Sequence, residues 1–486
     1  MKNLLKLKNW VLAFAGILAL CASACAPREV LYPLARQDVP RLREFPADFK
    51  PPLSNETEEP VGGFGGGTDG LTRTPVIFVH GNTVSANFWL PARDYFKSQG
   101  WHDEEMWAPS YGWNSVRAFD SADLSVPTLE RFVSAVQTYL SEKSGRPVRQ
   151  VDIVAHSLGV TLVRQWMMQE NAFHRVRNFV AACGANHGVW TARPDARGQN
   201  RTVAFELYPG SPWLKQLNRF GETPGATHYM TLYDGTGQND ALFPESTKES
   251  PRLEGAYNLA YDVRFNRYYD HLELPRVAET MEEIVGFLRR SAEPLPSATQ
   301  PELMHLNDAL RTTQADALVH CATGGAYPTL NNPGAEEMPL AADKLYTCFA
   351  HNERSGLSGP MARYKRVAGT RGQGPGKLEV TATPTGGAFE QPQKVTLSSN
   401  DPDAFIVYTT SGAIPTSGSP LYADPIFISG PVTLRAMAIA PDGRQSAPVD
   451  LSFDISLEKV DTARTLQKQF DSSVPENYRG ERKKGS

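Results

Sequence analysis

The run Val151-Asp152-Ile153-Val154-Ala155-His156-Ser157-Leu158-Gly159-Val160 constrains the fold of this chain more than any other stretch. Four strand-forming positions lead into Ala-His-Ser-Leu-Gly, and Leu162, Val163 and Trp166 then continue at helical spacing. A serine between a strand and a helix, with small residues two positions to either side, marks a very sharp turn. Such a turn holds its serine at strained dihedrals, with the hydroxyl lifted above the strand end. Bulky neighbours do not fit there. Glycine is the usual first small residue; here it is Ala155, which still keeps the volume low.

A turn of this kind stands on a parallel sheet, and the surrounding chain supplies one. From Thr74 to Arg290 short apolar runs alternate with helical patterns, which implies an α/β fold with helices on both faces of the sheet. Val76–Val79, Phe179–Gly184, His228–Tyr233 and a last short run at Ala256–Leu259 read as strands. Thr128–Leu140 reads as a helix with Phe132, Val133, Val136 and Leu140 on one stripe. Pro275–Leu288 reads as the closing helix, with Val277, Met281, Ile284, Val285 and Leu288 facing inward. After this unit (residues 74–290) the pattern weakens over 291–377, which reads as connecting loop with helices around Leu303–Leu310 and Asp343–Tyr346. Residues 378–456 change character: β-rich runs such as Phe405-Ile406-Val407-Tyr408 alternate with turn residues, as in a small all-β sandwich. Residues 457–486 are polar, lack an apolar face and read as a disordered tail.

The N-terminus has the order of an export signal. Lys2, Lys6 and Lys8 precede an apolar run from Trp10 to Leu20 that is short for a permanent membrane span. Ala22-Ser23-Ala24 fits an ordinary cleavage site, giving a signal peptide over 1–24. Cys25 directly after it also fits a lipidation site that would attach the chain to a membrane. Residues 25–73, rich in Pro, Gly and acidic side chains, read as a linker with an irregular wrapping segment. Export permits disulfides. Cys321 and Cys348 share one segment and can pair, whereas Cys183, in an apolar strand, reads as a buried core thiol. The formal net charge is −4 with both signs mixed throughout, which gives no footprint for nucleic acid.

Serine is a poor nucleophile until a base takes its proton, and acyl transfer also needs an orienting carboxylate and donors for an oxyanion. On a sheet of this kind the chain order is Ser, then acid, then His. One oxyanion donor is expected at the backbone N–H of Leu158. The other is expected in the loop after Val76-Ile77-Phe78-Val79-His80-Gly81, at Asn82 or Thr83. The acid is sought after the strand ending at Tyr233. Asp240 lies at the far end of a polar loop and is preferred to its competitor Asp234 at the strand end. His271 is the only histidine between Asp240 and the closing helix, so it takes the role of base. His80 reads as a structural loop residue, and His156 and His187 as groups that line or shape the site. No His/Cys cluster has metal-ligand spacing, so neither a metal nor an organic cofactor is implied.

Thr74–Asn82 (TPVIFVHGN), Val151–Val160 (VDIVAHSLGV) and Ala185-Asn186-His187-Gly188 together resemble bacterial α/β-hydrolase lipases with an Ala-x-Ser-x-Gly elbow. They are similar in particular to secreted esterases related to an extracellular poly(3-hydroxybutyrate) depolymerase. The resemblance covers about residues 74–290 and implies Ser157 as nucleophile, Asp240 as acid and His271 as base. One departure is Asp270, which stands before the histidine where glycine is frequent. Gly387-Ala388-Phe389, Ile406–Gly412, Pro415-Thr416, Leu421-Tyr422 and Pro425-Ile426 are similar to the chitobiase/β-hexosaminidase C-terminal-like module, which implies an accessory role.

The reading that results is an exported serine ester hydrolase acting on a lipid or polyester substrate. Depolymerisation of polyhydroxyalkanoate is a rival, with Trp89, Trp101, Trp107, Tyr111, Trp113, Trp190 and Trp213 as a candidate apolar rim. A surface-binding protein on an inactive hydrolase fold is the alternative of another class.

Overall fold

The computed structural model describes residues 43–50, 62–82, 84–111, 122–192, 201–261, 270–294, 298–306, 308–368 and 376–455. The signal segment with Cys25, Thr83, Trp113 and the 457–486 tail lie outside them. Among the described residues no helix is long and apolar enough to cross a membrane.

The strands of the first unit are β1 (Arg43–Glu44), β2 (Gly63–Gly65), β3 (Val76–Val79), β4 (Met106–Pro109), β5 (Val151–His156), β6 (Val176–Ala182), β7 (His228–Asp234) and β8 (Tyr257–Tyr261). They form one sheet in the order β1-β2-β4-β3-β5-β6-β7-β8. Every neighbouring pair from β4 to β8 is parallel, and β2 joins β4 antiparallel. Its helices are α1 (Leu90–Ser98), α2 (Ala122–Ser144), α3 (Leu158–Gln169), α4 (Arg201–Leu207), α5 (Pro212–Asn218) and α6 (Ala278–Arg290). All residues of β3, β5 and β6 are buried, as both-face coverage by helices demands. The fold is that of an α/β-hydrolase, with the serine turn on the central strand β5.

Two sequence expectations need correction. The linker assignment over residues 25–73 fails for its described part, because β1 and β2 extend the sheet and their flanks fill the core. Phe45 and Phe49 pack against Trp107 and Phe132, with ring centroids 4.9–6.3 Å apart, and Phe64 is fully buried. These three aromatics bury enough apolar surface to order a Gly- and Pro-rich segment. Residues 291–377 are also no helical connector. Strands at Leu303–Leu306, Ala309–Thr312, Leu318–Thr323, Leu345–Asn352 and Ala362–Lys365 build two small antiparallel sheets. Their own cluster is built on Leu310, Val319, Leu340, Tyr346 and Cys348, while Phe349 and Met361 turn into the core of the α/β unit. The longest of these strands is buried on both faces from Tyr346 to Asn352 and carries Thr347, His351 and Asn352 among its buried residues, so no period-2 alternation shows in the sequence. Cys321 and Cys348 face each other in register and are joined by a disulfide.

The C-terminal unit is a β-sandwich. Val380–Thr383, Gln393–Ser399 and Ile426–Ile428 form one sheet; Gly387–Phe389, Val449–Ile455, Val432–Ile439 and Phe405–Thr409 form the other. Val395, Leu397, Leu434, Ala436 and Phe453 lie in its core. The sandwich rests on the first unit. Thr410 N–H donates to Gln169 Oε1 at 2.7 Å and the Ser411 hydroxyl to Glu170 Oε1 at 2.7 Å, at the end of α3. Gln216 of α5 reaches Pro425 O, and Phe205 of α4 meets Phe427.

Candidate active site

Ser157 sits between β5 and α3 at φ 55°, ψ −125°, outside the small left-handed helical region and a strained conformation for any residue but glycine. Three features hold it there. Its N–H donates to Ala182 O of β6 at 2.9 Å. Gly81 leaves room on one side, since a Cβ there would lie 2.7 Å from Ser157 Cβ. Gly159 leaves room on the other, since a Cβ there would lie 2.5 Å from His80 O. The two glycines let the end of β3 and the start of α3 close on the serine. This brings the Gly81–Asn82 turn against it and places Leu158 as the first residue of α3, where backbone N–H groups have no intrahelical partner.

His271 joins the serine from the other end of the chain. The Ser157 hydroxyl meets His271 Nε2 at 2.7 Å, and His271 Nδ1 meets Asp240 Oδ2 at 2.9 Å. His271 and Asp240 are both buried. A carboxylate only accepts hydrogen bonds, so the imidazole proton sits on Nδ1 and the Nε2 lone pair faces the serine hydroxyl. The second oxygen of Asp240 accepts from Leu242 N–H at 3.0 Å, which fixes the carboxylate plane. The arrangement can move a proton from serine to imidazole while a buried negative charge stabilises the imidazolium.

Asp234 does not reach His271; it builds the loop that carries Asp240. Its Oδ1 accepts from Thr236 N–H and the Thr236 hydroxyl at 2.9 and 2.5 Å, and its Oδ2 from Asn239 N–H and Asp240 N–H at 2.7 and 3.1 Å. Asp270, the departure from glycine noted in the sequence, caps the histidine loop by accepting from Leu272 N–H and Glu273 N–H. Burial pushes Asp270 up, and burial followed by repulsion from Asp270 pushes Glu273 up to about 7.

Of the other histidines, His156 shapes the site. Burial, and then the neighbouring His271, push its imidazole well below the usual range, so it is neutral. Its Nε2 lies 2.7 Å from His271 O and its ring stacks on Phe88 at 4.7 Å, while the Arg276 guanidinium lies over the same phenyl ring, 5.2 Å from its centroid. His80 stacks on Tyr111 at 4.1 Å and accepts from Tyr111 N–H, a structural role in the β3 loop. His187 is exposed and holds Ser250 O and Glu222 with its two nitrogens instead of turning to Ser157. Trp89, Trp101, Trp107, Tyr111 and Trp213 are core residues and form no rim. Ligand-type atoms of His156, Cys183 and His271 lie within 4.8 Å of one another. Both nitrogens of His271 and Nε2 of His156 are committed to the hydrogen bonds above, so this cluster is scaffold for the site. Phe88, Arg276 and the nearness of Cys183 leave no mark in the sequence, because contacts across loops have no periodicity.

A parallel sheet with a strained serine on its central strand, a histidine after the last strand and an acid between them defines an α/β-hydrolase. Residues 73–247 match the family model for lipase (class 2), and residues 384–450 match that for the chitobiase/β-hexosaminidase C-terminal domain. These matches support a lipase/esterase-like α/β-hydrolase unit over the first segment and a chitobiase-like module over the second. Solved structures similar to the chain include the Bacillus licheniformis lipase BlEst2 in mature form, 18% identical over 46% of this chain and 96% of that one, with a TM-score of 0.34. Aspergillus fumigatus lipase B is 14% identical over 48% of this chain and 57% of that one, at 0.33. Phospholipase PlaB from Legionella pneumophila, in complex with thio-NAD, is 15% identical over 58% and 85%, at 0.31.

Proposed function

We propose that the protein is an exported serine carboxylic-ester hydrolase. The observation that carries this reading is the unbroken hydrogen-bond chain Asp240–His271–Ser157, which a surface-binding protein has no need to maintain. His271 Nε2 takes the serine proton as Oγ attacks the ester carbonyl. The tetrahedral oxyanion is held by the backbone N–H groups of Leu158 and Asn82; loss of one such donor typically costs about 100- to 1,000-fold. The imidazolium then protonates the departing alkoxide; the neutral imidazole so regenerated takes a proton from the water that attacks the acyl-enzyme and passes it to Ser157 Oγ as the acid leaves. Asp240 keeps the imidazole in the required tautomer throughout.

The substrate class is a lipid or simple ester. Export is supported by the N-terminal signal pattern and by the Cys321–Cys348 disulfide, a bond that persists in oxidising compartments. Mass spectrometry of the mature N-terminus separates cleavage after Ala24 from lipidation at Cys25. The function is tested with p-nitrophenyl butyrate and palmitate, tributyrin, triolein and polyhydroxybutyrate film. Hydrolysis that Ser157→Ala abolishes is expected. Film degradation without acylglycerol turnover would move the protein to the depolymerases, and no turnover of any ester would overturn the enzyme reading.

A further inference from the structure

His271 is held through its main chain as well as its ring. The ring bonds Asp240 and Ser157, and the main-chain oxygen accepts from His156 Nε2–H at 2.7 Å. A carbonyl oxygen only accepts, so the His156 proton sits on Nε2. Nδ1 of the same ring is buried and has no hydrogen-bond partner among the described residues. It lies against the Gly81 turn, where a Cβ would come within 2.9 Å of it. A second proton would stand there buried without an acceptor, so the ring stays neutral in one tautomer, as burial and the nearby His271 also require.

The other bonds of the histidine loop close it on itself. The Asp270 carboxylate accepts from Leu272 N–H and Glu273 N–H, and Asp270 O accepts from Glu273 N–H and Leu274 N–H. The His156 bond instead ties the loop to the last residue of β5, the immediate neighbour of the nucleophile. The rings are packed in series as well: His271 meets Phe243 with centroids 5.8 Å apart and His156 at 4.8 Å, and His156 meets Phe88 at 4.7 Å. We infer that His156 is a positioning residue: by donating Nε2–H to His271 O it fixes the main chain of the base where its ring reaches Ser157 and Asp240 together. Because residues 156 and 157 are consecutive, the nucleophile and the anchor of its base share one strand end. His156 takes no proton from the serine and acts only through His271.

This inference rests on the hydrolase reading, and three variants test it. His156→Phe keeps an aromatic ring against Phe88 and His271 and removes the donor. His156→Gln removes the ring and keeps an N–H at about the reach of Nε2, whereas His156→Asn carries the same amide one methylene short. On p-nitrophenyl butyrate, His156→Phe and His156→Asn are expected to lower kcat roughly tenfold, as loss of the donor to a buried carbonyl implies, with KM little changed. His156→Gln is expected to recover most of that loss. A packing role gives the reverse order, sparing His156→Phe and penalising His156→Gln. Parental kcat in His156→Phe, or His156→Gln as slow as His156→Asn, overturns the assignment; the second comparison, between side chains alike in polarity, decides it even where His156→Phe does not fold. The downfield Nδ1–H proton resonance of His271, recorded without substrate, is expected to move in His156→Asn and to return toward the parent in His156→Gln. If the parent hydrolyses no ester, the hydrolase reading fails, and an unmoved resonance in His156→Asn separately refutes the role of His156.

Discussion

Asp234 and Asp240 are six residues apart in one loop, and replacing each by asparagine separates a stability role from a catalytic one. Asp234 accepts four hydrogen bonds from Thr236, Asn239 and Asp240. An asparagine retains one oxygen and turns an NH2 group toward donors, so two of the four bonds are lost. At about 1.5 kcal/mol for each bond to a charged group, Asp234→Asn costs about 3 kcal/mol. For a unit of this size that lowers the melting temperature by roughly 6–12 °C. Asp240→Asn does something else. Its new NH2 group donates toward His271 Nδ1, which forces the proton onto Nε2, where it faces the serine hydroxyl. An imidazole in that tautomer cannot act as base, and the loss in kcat expected for such a change is about 10⁴-fold. Turnover of p-nitrophenyl butyrate and thermal melting of both variants make the comparison. Asp234→Asn is expected to melt early and retain most of its turnover below the transition; Asp240→Asn is expected to melt near the parent and be almost inactive. Loss of turnover in Asp234→Asn equal to that in Asp240→Asn, without a fall in melting temperature, would refute the reasoning.

Gly81→Ala places a Cβ 2.7 Å from Ser157 Cβ and 2.9 Å from His156 Nδ1, and displacing the serine is expected to cost about 100-fold or more in kcat. Circular dichroism checks that the fold is kept, and parental kcat would contradict the tight elbow. Glu273 titrates at about 7 in the folded protein against 4.5 in a free chain. The folded state therefore holds a proton that the unfolded state has released over this window, and stability falls as pH rises from 4.5 to about 7. Glu273→Gln is expected to flatten that decline in a series of melting curves, and identical slopes for parent and variant would count against it.

The parts of the site that were legible in the sequence are those imposed by chain order. Ser157 announces itself through the strand, the small neighbours and the helix. Asp240 and His271 follow because a carboxylate and an imidazole must reach it from later strand ends. The roles of Asp234 and Asp270 were less visible: each spends its oxygens on nearby N–H groups, and the sequence shows only an acidic residue in a loop. Cys183 was hidden more deeply, since an apolar strand end gives no hint that the next residue turns left-handed beside His156 and His271. In the fold, the long buried strands of the sheet carried the pattern. The strands of residues 298–368 did not, because most are four to six residues long and the longest, Leu345–Asn352, is buried on both faces with Thr347, His351 and Asn352 among its buried residues. Phe45 and Phe49 were masked by the prolines around them.

The hydrogen bonds from Thr410 and Ser411 to the end of α3 bear on how the accessory module is to be investigated. The helix that begins at the reacting serine ends on the sandwich, so cutting the chain before residue 376 strips partners from Gln169 and Glu170. It also uncovers Phe205 and Gln216 on the α4–α5 flank. A truncated hydrolase that works poorly on an insoluble substrate would therefore not show that the module had gripped that substrate. Point changes on the outward face of the sandwich, leaving its seat intact, are the means of asking what it touches.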